Sequence, residues 1–593
     1  MKRLINLGKG LAILGVLCLF PLQNTVAQEL SAEDIQVQYF QKVPMRDGVN
    51  LSANIFMPEN LQKPLPAIMV LTPYNNDHNT RRGIYFAKNS YVFVTVDTRG
   101  RGDSEGVFIP FENEGIDGYD AVEWIAKQSW CNGKVATMGG SYKGMDQWLI
   151  AKNHPPHLVT MAPTATVCPG IDATRDRNIY RTYNLNIMSY VAGHVKNQTN
   201  FFSEYNLAKV KRNYRDHLPY ADLLSALDSP DKKMQTVFKR WITHSTFDSF
   251  WQDMLPTKAD YEKLNIPILS ITGYFDSDQP GHMHYYTNFQ KYASKDSKSK
   301  MYFVIGPWDH SGTRRPKSKL GGLDFTNKAV VDILNLHKEW FDYTMKDGEK
   351  PEFLKDNVTY FEMGDNKWNY CSDLKSMSNK TQTYYLSSPT VNPDNIFQSG
   401  TLSENPVNEK ATDQVIYDPS VPAFKGSEIG RNYLISQAYI NEEGWLYYHT
   451  PILKEKLEIS GFVTLNVFAE IDTPDTDFDF KLYEVKADGT NIYLGNGIMR
   501  ARFKNSLEKE ELVKPGEVNE YQIKSLNLFN RTIAKGSRLR LMFGYLDSDQ
   551  YQKNYNSGKD VSYESLKDAK TCTIKVHCSK KHPSSLSLPI GEK

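Results

Sequence analysis

The segment Met138-Gly139-Gly140-Ser141-Tyr142-Lys143-Gly144 carries the sharpest chemical signal in the chain. A serine with one glycine two residues before it fits a tight strand-to-helix turn; the second glycine comes at +3, one residue later than in G-x-S-x-G. Gly133 to Met138 reads as a short strand and Met145 to Lys152 as a helix, so both flanking elements are present. Such a turn is strained and needs small neighbours. It lifts the hydroxyl clear of a sheet and aims backbone N–H groups at a developing oxyanion. A glycine-flanked serine alone would equally describe an ordinary turn; the context selects Ser141 as a nucleophile.

A nucleophilic serine needs a base, and the base needs an orienting acid. In open α/β sheets these follow in the order Ser, Asp or Glu, His, each after a later strand. Two strand ends qualify. Gly273-Tyr274-Phe275-Asp276 follows an apolar run at 267–271, and Gly306-Pro307-Trp308-Asp309-His310 follows one at 301–305. His310 is the expected base among 13 histidines. Asp276 is preferred to Asp278 because it ends its strand more directly, and Asp309 reads as a loop-fixing neighbour.

The elements that must position these groups are legible in the hydrophobic pattern. Residues 36–56 alternate as two strands around Met45-Arg46-Asp47-Gly48. Continuous apolar runs at 66–71 and 91–96 are typical of strands buried on both faces. Glu114 to Gln128 and Ala329 to Met345 have helical spacing. Strands alternating with helices predict a parallel α/β sheet covered on both sides. Between about 166 and 265 the chain turns rich in Tyr, Asn, Arg and Lys, with helical stretches at 222–227 and 234–241; this predicts a helical cap. Beyond residue 350 the period becomes two, as in 457–465 and 538–543, which predicts a β-sandwich or jelly roll. The expected division is 1–27 leader, 28–165 and 266–349 α/β core, 166–265 cap, and 350–593 C-terminal β domain.

The leader is read from Lys2, Arg3 and Lys9, the apolar run Leu11–Leu22, and the small-x-small site Thr25-Val26-Ala27. It predicts a secreted or periplasmic protein. A lipoprotein is disfavoured because Leu17 precedes Cys18 where a small residue is expected. Cleavage lowers the basic count from 70 to 67 against 69 acidic residues. That balance argues against nucleic acid as a partner, and no later run reaches the 18 or so apolar residues of a spanning helix. The chain has 593 residues, room for about three to five folding units. With 40% hydrophobic residues, sizeable cores can form. Five cysteines remain after the leader, and their spacing matches neither a disulfide framework nor zinc.

These motifs together resemble the CocE/NonD hydrolases, a family that includes cocaine esterase, α-amino-acid ester hydrolases, glutaryl-cephalosporin acylases and X-Pro dipeptidyl-peptidases. The resemblance rests on Thr72-Pro73-Tyr74, Asp97-Thr98-Arg99-Gly100-Arg101-Gly102-Asp103-Ser104-Glu105-Gly106, Asp117-Gly118-Tyr119-Asp120 with Trp124, and Gly140 to Gly144. It continues through the two strand ends above to Asp475-Thr476-Asp477-Phe478 and Gly497 to Arg502. It implies an α/β-hydrolase core with a helical cap insertion and a C-terminal β jelly-roll sandwich. It also implies a Ser141–Asp276–His310 triad, with the Tyr74 hydroxyl and the Tyr142 N–H as oxyanion donors and no metal or organic cofactor. The Arg99–Gly106 stretch is expected to be a loop held by Arg–carboxylate contacts. The expected chemistry is serine hydrolysis of small-molecule esters or amides, including acyl-amino acids and short peptides, through an acyl-enzyme. X-Pro dipeptidyl-peptidase and α-amino-acid ester hydrolase are the specific alternatives. Family members of those two kinds hold a substrate ammonium with carboxylates. Asp77 is one candidate for that role here, though its residue type equally suits a turn, and Asp172, Asp176 or Glu204 of the cap are others. A non-catalytic carbohydrate-binding protein using aromatic segments such as Trp445-Leu446-Tyr447-Tyr448 is the rival from another class. Oligomeric state stays open.

Overall fold

The fold is taken from a computed structural model of the chain. It describes residues 34–194, 209, 212, 216–227, 231–388, 395–406, 412–421, 434–439, 442 and 444–591. The expected leader and Glu204 lie outside the described residues.

The first unit is a 10-stranded sheet. Its strands are β1 (Ile35–Pro44), β2 (Asn50–Pro58), β3 (Leu65–Thr72), β4 (Val92–Asp97), β5 (Cys131–Ser141), β6 (Leu158–Thr166), β7 (Ile268–Phe275), β8 (Met301–Asp309), β9 (Val358–Glu362) and β10 (Lys367–Cys371). Their spatial order is β1-β2-β4-β3-β5-β6-β7-β8-β9-β10. From β4 to β9 the pairing is parallel, with antiparallel strands at either end. Strands buried on both faces explain the unbroken apolar runs: Ile68 and Val70 pack under one helical layer, Ala67, Met69 and Leu71 under the other.

The first layer contains α1 (Thr80–Lys88), and the second α2 (Glu114–Ala126) and α3 (Tyr142–Lys152). Between β6 and β7 the chain leaves the sheet as a set of short helices, among them α4 (Tyr183–Tyr190) and α5 (Lys232–Thr243). Then α6 (Gln279–Tyr292) joins the second layer, and α7 (Ile333–Met345) the first. Because the chain runs from β3 outward to β4 and then returns to the other side of β3 as β5, the carboxyl ends of β3 and β5 flank a switch point. Crevices for ligands form at such points in open α/β sheets.

One sequence expectation needs correction. The α/β sheet does not stop at residue 349: β9 and β10 carry it to Cys371. Their alternating pattern resembles the β domain that follows because β10 is an edge strand, paired only with β9 and half exposed. The alternating run 457–465 spans two strands. Leu457–Gly461 and Thr464–Ile471 are separate strands that break after Gly461, whose φ of 137° lies in the region open to glycine.

The described residues that follow are mainly β, a 15-stranded sheet in which 11 strands follow one path and four pair off it. Leu446, Tyr447 and Tyr448 are completely buried, so three of the four residues of that aromatic segment form core rather than a ligand face. The five described cysteines are free. The late motif segments meet here. Arg500 forms a two-pronged pair with Asp477 at 2.8 and 2.9 Å, and Arg502 reaches Asp475 at 2.8 Å. The Asn554 amide donates to both aspartates, and all of these side chains are buried. Removing one member of a buried pair leaves an uncompensated charge. Asp477→Ala is therefore expected to destabilise this domain by about 3–5 kcal/mol, read as an earlier midpoint in urea unfolding followed by tryptophan fluorescence.

Candidate active site

β5 ends at Ser141, and α3 begins at the next residue, three earlier than the sequence pattern suggests. Ser141 itself has φ 64° and ψ −125°, a conformation that costs a non-glycine residue about 1–3 kcal/mol. Its surroundings make the turn possible. A Cβ on Gly139 (φ 151°) would stand 2.6 Å from the Lys143 Cβ, and one on Gly144 would stand 2.7 Å from the Thr166 hydroxyl. The second contact explains the glycine at +3: there α3 crosses closest to β6. Position +2 is left to a lysine.

Asp276 follows the last residue of β7 and is fully buried. Its Oδ1 lies 2.9 Å from His310 Nδ1 and accepts the Asp278 N–H at 3.0 Å, while Thr272 donates to Oδ2 at 3.2 Å. His310 follows β8. Its carbonyl accepts from Thr313 Oγ1 at 2.8 Å and from Arg314 Nη2 at 2.9 Å. Asp309 accepts the Gly312 N–H at 2.7 Å, the loop-fixing role expected of it.

The structure adds a fourth group. Asp278 Oδ2 stands 3.2 Å from the same His310 nitrogen and accepts the Ser141 hydroxyl at 3.3 Å. The hydroxyl is thus turned to Asp278, and no hydrogen bond joins Ser141 to His310 among the described residues. Burial opposes protonation of His310, but the charges of Asp278 and Asp276 outweigh it and raise the imidazole above its ordinary value of 6.5. Burial likewise opposes ionisation of Asp276, yet His310 holds that carboxyl below the usual range. Asp276, Asp278 and His310 present donor atoms within 4.8 Å of one another, the one such grouping among the described residues. The grouping is held by the His310 Nδ1, which lies 2.9 Å from Asp276 and 3.2 Å from Asp278.

Of the expected oxyanion donors, Tyr74 lies just after β3 and Tyr142 opens α3. The Tyr74 N–H donates to Thr72 Oγ1 at 3.1 Å. Buried Arg101 donates to the Pro73 carbonyl at 2.7 Å, anchoring the residue beside Tyr74. Arg99 pairs with Asp117 and Asp47, both at 2.7 Å, so this loop is structural as expected. The Tyr74 ring packs edge-on against Tyr142 and tilts against Tyr190 of α4. Burial pushes its phenol well above the usual range, which keeps the proton on a donor. Tyr142 opens α3, so its N–H belongs to the first helical turn and has no partner within the helix. Its hydroxyl donates to buried Glu114, and its ring stacks on Phe111.

The candidate ammonium-binding acids fare differently. Asp77 is exposed on a 3₁₀ turn, accepts from Asn54 at 3.2 Å, and joins none of the contacts around Ser141. It is a turn residue. Asp172 is buried with both oxygens taken by the N–H groups of Cys168 and Gly281, at 2.8 and 2.6 Å. Asp176 is neutralised by Arg181 at 2.6 Å and bonded by Tyr551. Asp278, two residues beyond the favoured acid, is the carboxylate among the described residues that bonds Ser141.

One contributor had no sequence signal. Asn527, in the β domain, donates to the carbonyls of Tyr274 and Asp276 at 3.0 and 2.9 Å. Next to it, Leu528 and Gln279 exchange two hydrogen bonds at 2.7 and 3.1 Å. The loop carrying both acids is therefore clamped from a segment about 250 residues away.

Two family models match successive parts of the chain. The family model described as X-Pro dipeptidyl-peptidase (S15 family) matches residues 47–312, and the X-Pro dipeptidyl-peptidase C-terminal non-catalytic domain matches residues 353–587. The cocaine esterase of Rhodococcus sp. (strain MB1 Bresler) is 27% identical over 92% of this chain and 97% of its own length. Two solved structures superpose with a TM-score of 0.80. An aminopeptidase from a marine-sediment Thaumarchaeota archaeon is 22% identical over 97% of this chain and 98% of its own. An α-amino acid ester hydrolase is 21% identical over 96% and 100%. At those identities the two structures establish the fold alone.

The electrostatics can be read directly. The His310 imidazole should titrate above 6.5 in an NMR pH titration, and Asp278→Asn should bring its pKa down. A raised folded-state pKa stabilises the fold most below the unfolded value, and that stabilisation is lost as pH rises through the folded value. The same substitution should therefore flatten the loss of stability just above pH 6.5. An unmoved His310 resonance would show that Asp278 does not act on it.

Proposed function

The chain belongs to the CocE/NonD family of serine α/β-hydrolases, and on that premise we propose that Ser141 cleaves esters or amides of small acyl groups bearing a free α-amine. Hydrolysis of ester or amide bonds follows from the family. The requirement for an amine rests on one observation: Asp278 is a buried carboxylate 3.3 Å from the nucleophile and is not needed to orient the base. Its nearest cation is the imidazole it shares with Asp276, so a substrate ammonium is the complementary group. The substrate classes printed for the matched family and the ester hydrolase agree with that reading.

In the proposed sequence the ammonium draws Asp278 away from Ser141, and the freed hydroxyl turns to the far nitrogen of His310. That nitrogen takes the proton as the Ser141 oxygen bonds to the carbonyl carbon, while Asp276 holds the other ring N–H and offsets the imidazolium charge. The Tyr74 hydroxyl and Tyr142 N–H donate to the oxyanion. Collapse breaks the bond to the leaving group, which departs with the proton from His310. A water then gives its proton to His310, attacks the acyl carbon and releases the acid, regenerating Ser141. Plain acyl esterase action is the second reading, favoured by the relative named as a cocaine esterase.

The decisive experiment is a panel of matched esters and amides, with and without a free α-amine, on purified protein. Blocking the amine should cost at least about 100-fold in kcat/KM, and Asp278→Asn should erase most of that preference. Equal turnover of blocked and free substrates would select the esterase reading. Ser141→Ala should abolish turnover and fluorophosphonate labelling. Tyr74→Phe should lower kcat by about 10²–10³ with an unchanged melting temperature.

We also infer that the protein is exported, supported by the leader pattern of residues 1–27. N-terminal sequencing of protein expressed in its own host should begin at Gln28; retention of Met1 would refute it.

A further inference from the structure

The base of the nucleophile elbow holds a group of cations that the reaction does not use. Lys143 occupies the +2 position after Ser141, Arg82 lies on α1, and Arg314 and Arg315 follow His310 by four and five residues. Lys143, Arg82 and Arg314 are half-buried, yet none of the four lies within 4.0 Å of a carboxylate among the described residues. Arg314 packs against the elbow itself: its Nη1 is 2.7 Å from where a Gly140 Cβ would be. Arg82 and Arg314 each spend one hydrogen bond on a neutral acceptor, Arg82 on Asn79 Oδ1 at 3.3 Å and Arg314 on the His310 carbonyl at 2.9 Å. A guanidinium has five N–H donors, so most remain available. Lys143 makes no hydrogen bond to the described residues.

The groups press on one another. Burial, then Arg82 and Arg314, lower Lys143 to about 7, and burial, then Arg314 and Arg315, lower Arg82 to about 10. The two carboxylates in range do not compensate. Asp146, one turn further along α3, is buried with neither oxygen hydrogen-bonded, and burial, then the nearby Glu114, raises its carboxyl well above the usual range, which disfavours its charge. Asp276, which feels Arg314, is committed to His310. A second observation points to the same place. His337 of α7, the neighbour of α1 in the same helical layer, is 5% exposed, leaves Nε2 without a partner, and lies close enough to Arg82 to feel its charge. Gathering half-buried like charges beside an unsatisfied buried polar atom is unfavourable unless a counter-charge completes the site.

We propose that Arg82, Lys143 and Arg314 form a binding site for a free tetrahedral oxyanion of the sulfate or phosphate class at the base of the nucleophile elbow. Two planar guanidinium forks and one ammonium suit a dianion with four acceptor oxygens. Bound there, the anion offsets Arg314, one of the charges that oppose protonation of His310. The inference is independent of which substrate the enzyme takes.

Sulfate is the cleaner probe because its charge is constant over the pH range in question. Sulfate titrated calorimetrically into the full chain at pH 6, against chloride at matched ionic strength, should give one saturable site. Its affinity should fall several-fold by pH 8.5 as Lys143 loses its proton. Lys143→Met should weaken binding at pH 6 by about tenfold or more. Lys143→Arg should keep the binding and remove its pH dependence, which separates Lys143 from the histidines and arginines around it. Absence of saturable heat at pH 6, wild-type affinity in Lys143→Met, or an unchanged pH dependence in Lys143→Arg would each overturn the assignment.

Discussion

The left-handed backbone at Ser141 is the constraint on which the rest of the site depends. A φ of 64° at a residue with a side chain is unfavourable alone, and it persists because β5 and α3 are held on either side of it. That closeness in turn demands glycine at 139, under the Lys143 Cβ, and at 144, against Thr166. The same geometry starts α3 immediately after the nucleophile, so the Tyr142 N–H is left without an intrahelical acceptor beside the hydroxyl it serves. Strain, helix start and proposed oxyanion donor are thus one feature. It sits where the strand order reverses, with Tyr74 at the end of the adjacent strand.

The second organising interaction is the sharing of one imidazole N–H by two carboxylates. Asp276 at 2.9 Å and Asp278 at 3.2 Å both favour the protonated ring, while burial and Arg314 oppose it. A base tuned by such opposing effects responds to anything that changes one of them, whether a substrate cation at Asp278 or an anion near Arg314. The acid loop is also tied to the β domain through Asn527 and Gln279. That domain therefore contributes to the precision of the site, although among the described residues it bonds the backbone of the acid loop and not the reacting side chains. Its own buried Arg500–Asp477 and Arg502–Asp475 pairs hold together the two motif segments that the family resemblance singled out.

Much of this was legible in the sequence because it depends on local physics. Strands buried on both faces must be continuously apolar, and a strained turn must carry glycine, so β3, β4 and the elbow at Ser141 are visible without neighbours. Asp276 and His310 are visible because they end strands in a fixed order. Where the local pattern is ambiguous the reading slipped. β10 alternates because it is an edge strand, and so it passes for part of the next domain. Residues 457–465 alternate through a break that only the φ of Gly461 reveals.

The sequence by itself therefore determined the kind of chemistry: a serine, a histidine and an acid at three strand ends, with a tyrosine after a fourth. The first three assignments follow from residue types and periodicity along the chain; the tyrosine's role is what the family resemblance implies. Only the tertiary structure decided which carboxylates surround the nucleophile. Asp77 and Asp278 are the same residue type, each close in sequence to a member of the site, yet one is exposed on a turn and the other receives the Ser141 hydroxyl. Asn527 and the cations around Lys143 belong to the same class of fact. Their roles arise from contacts between segments far apart in the chain, and side-chain spacing within any one segment carries no information about them.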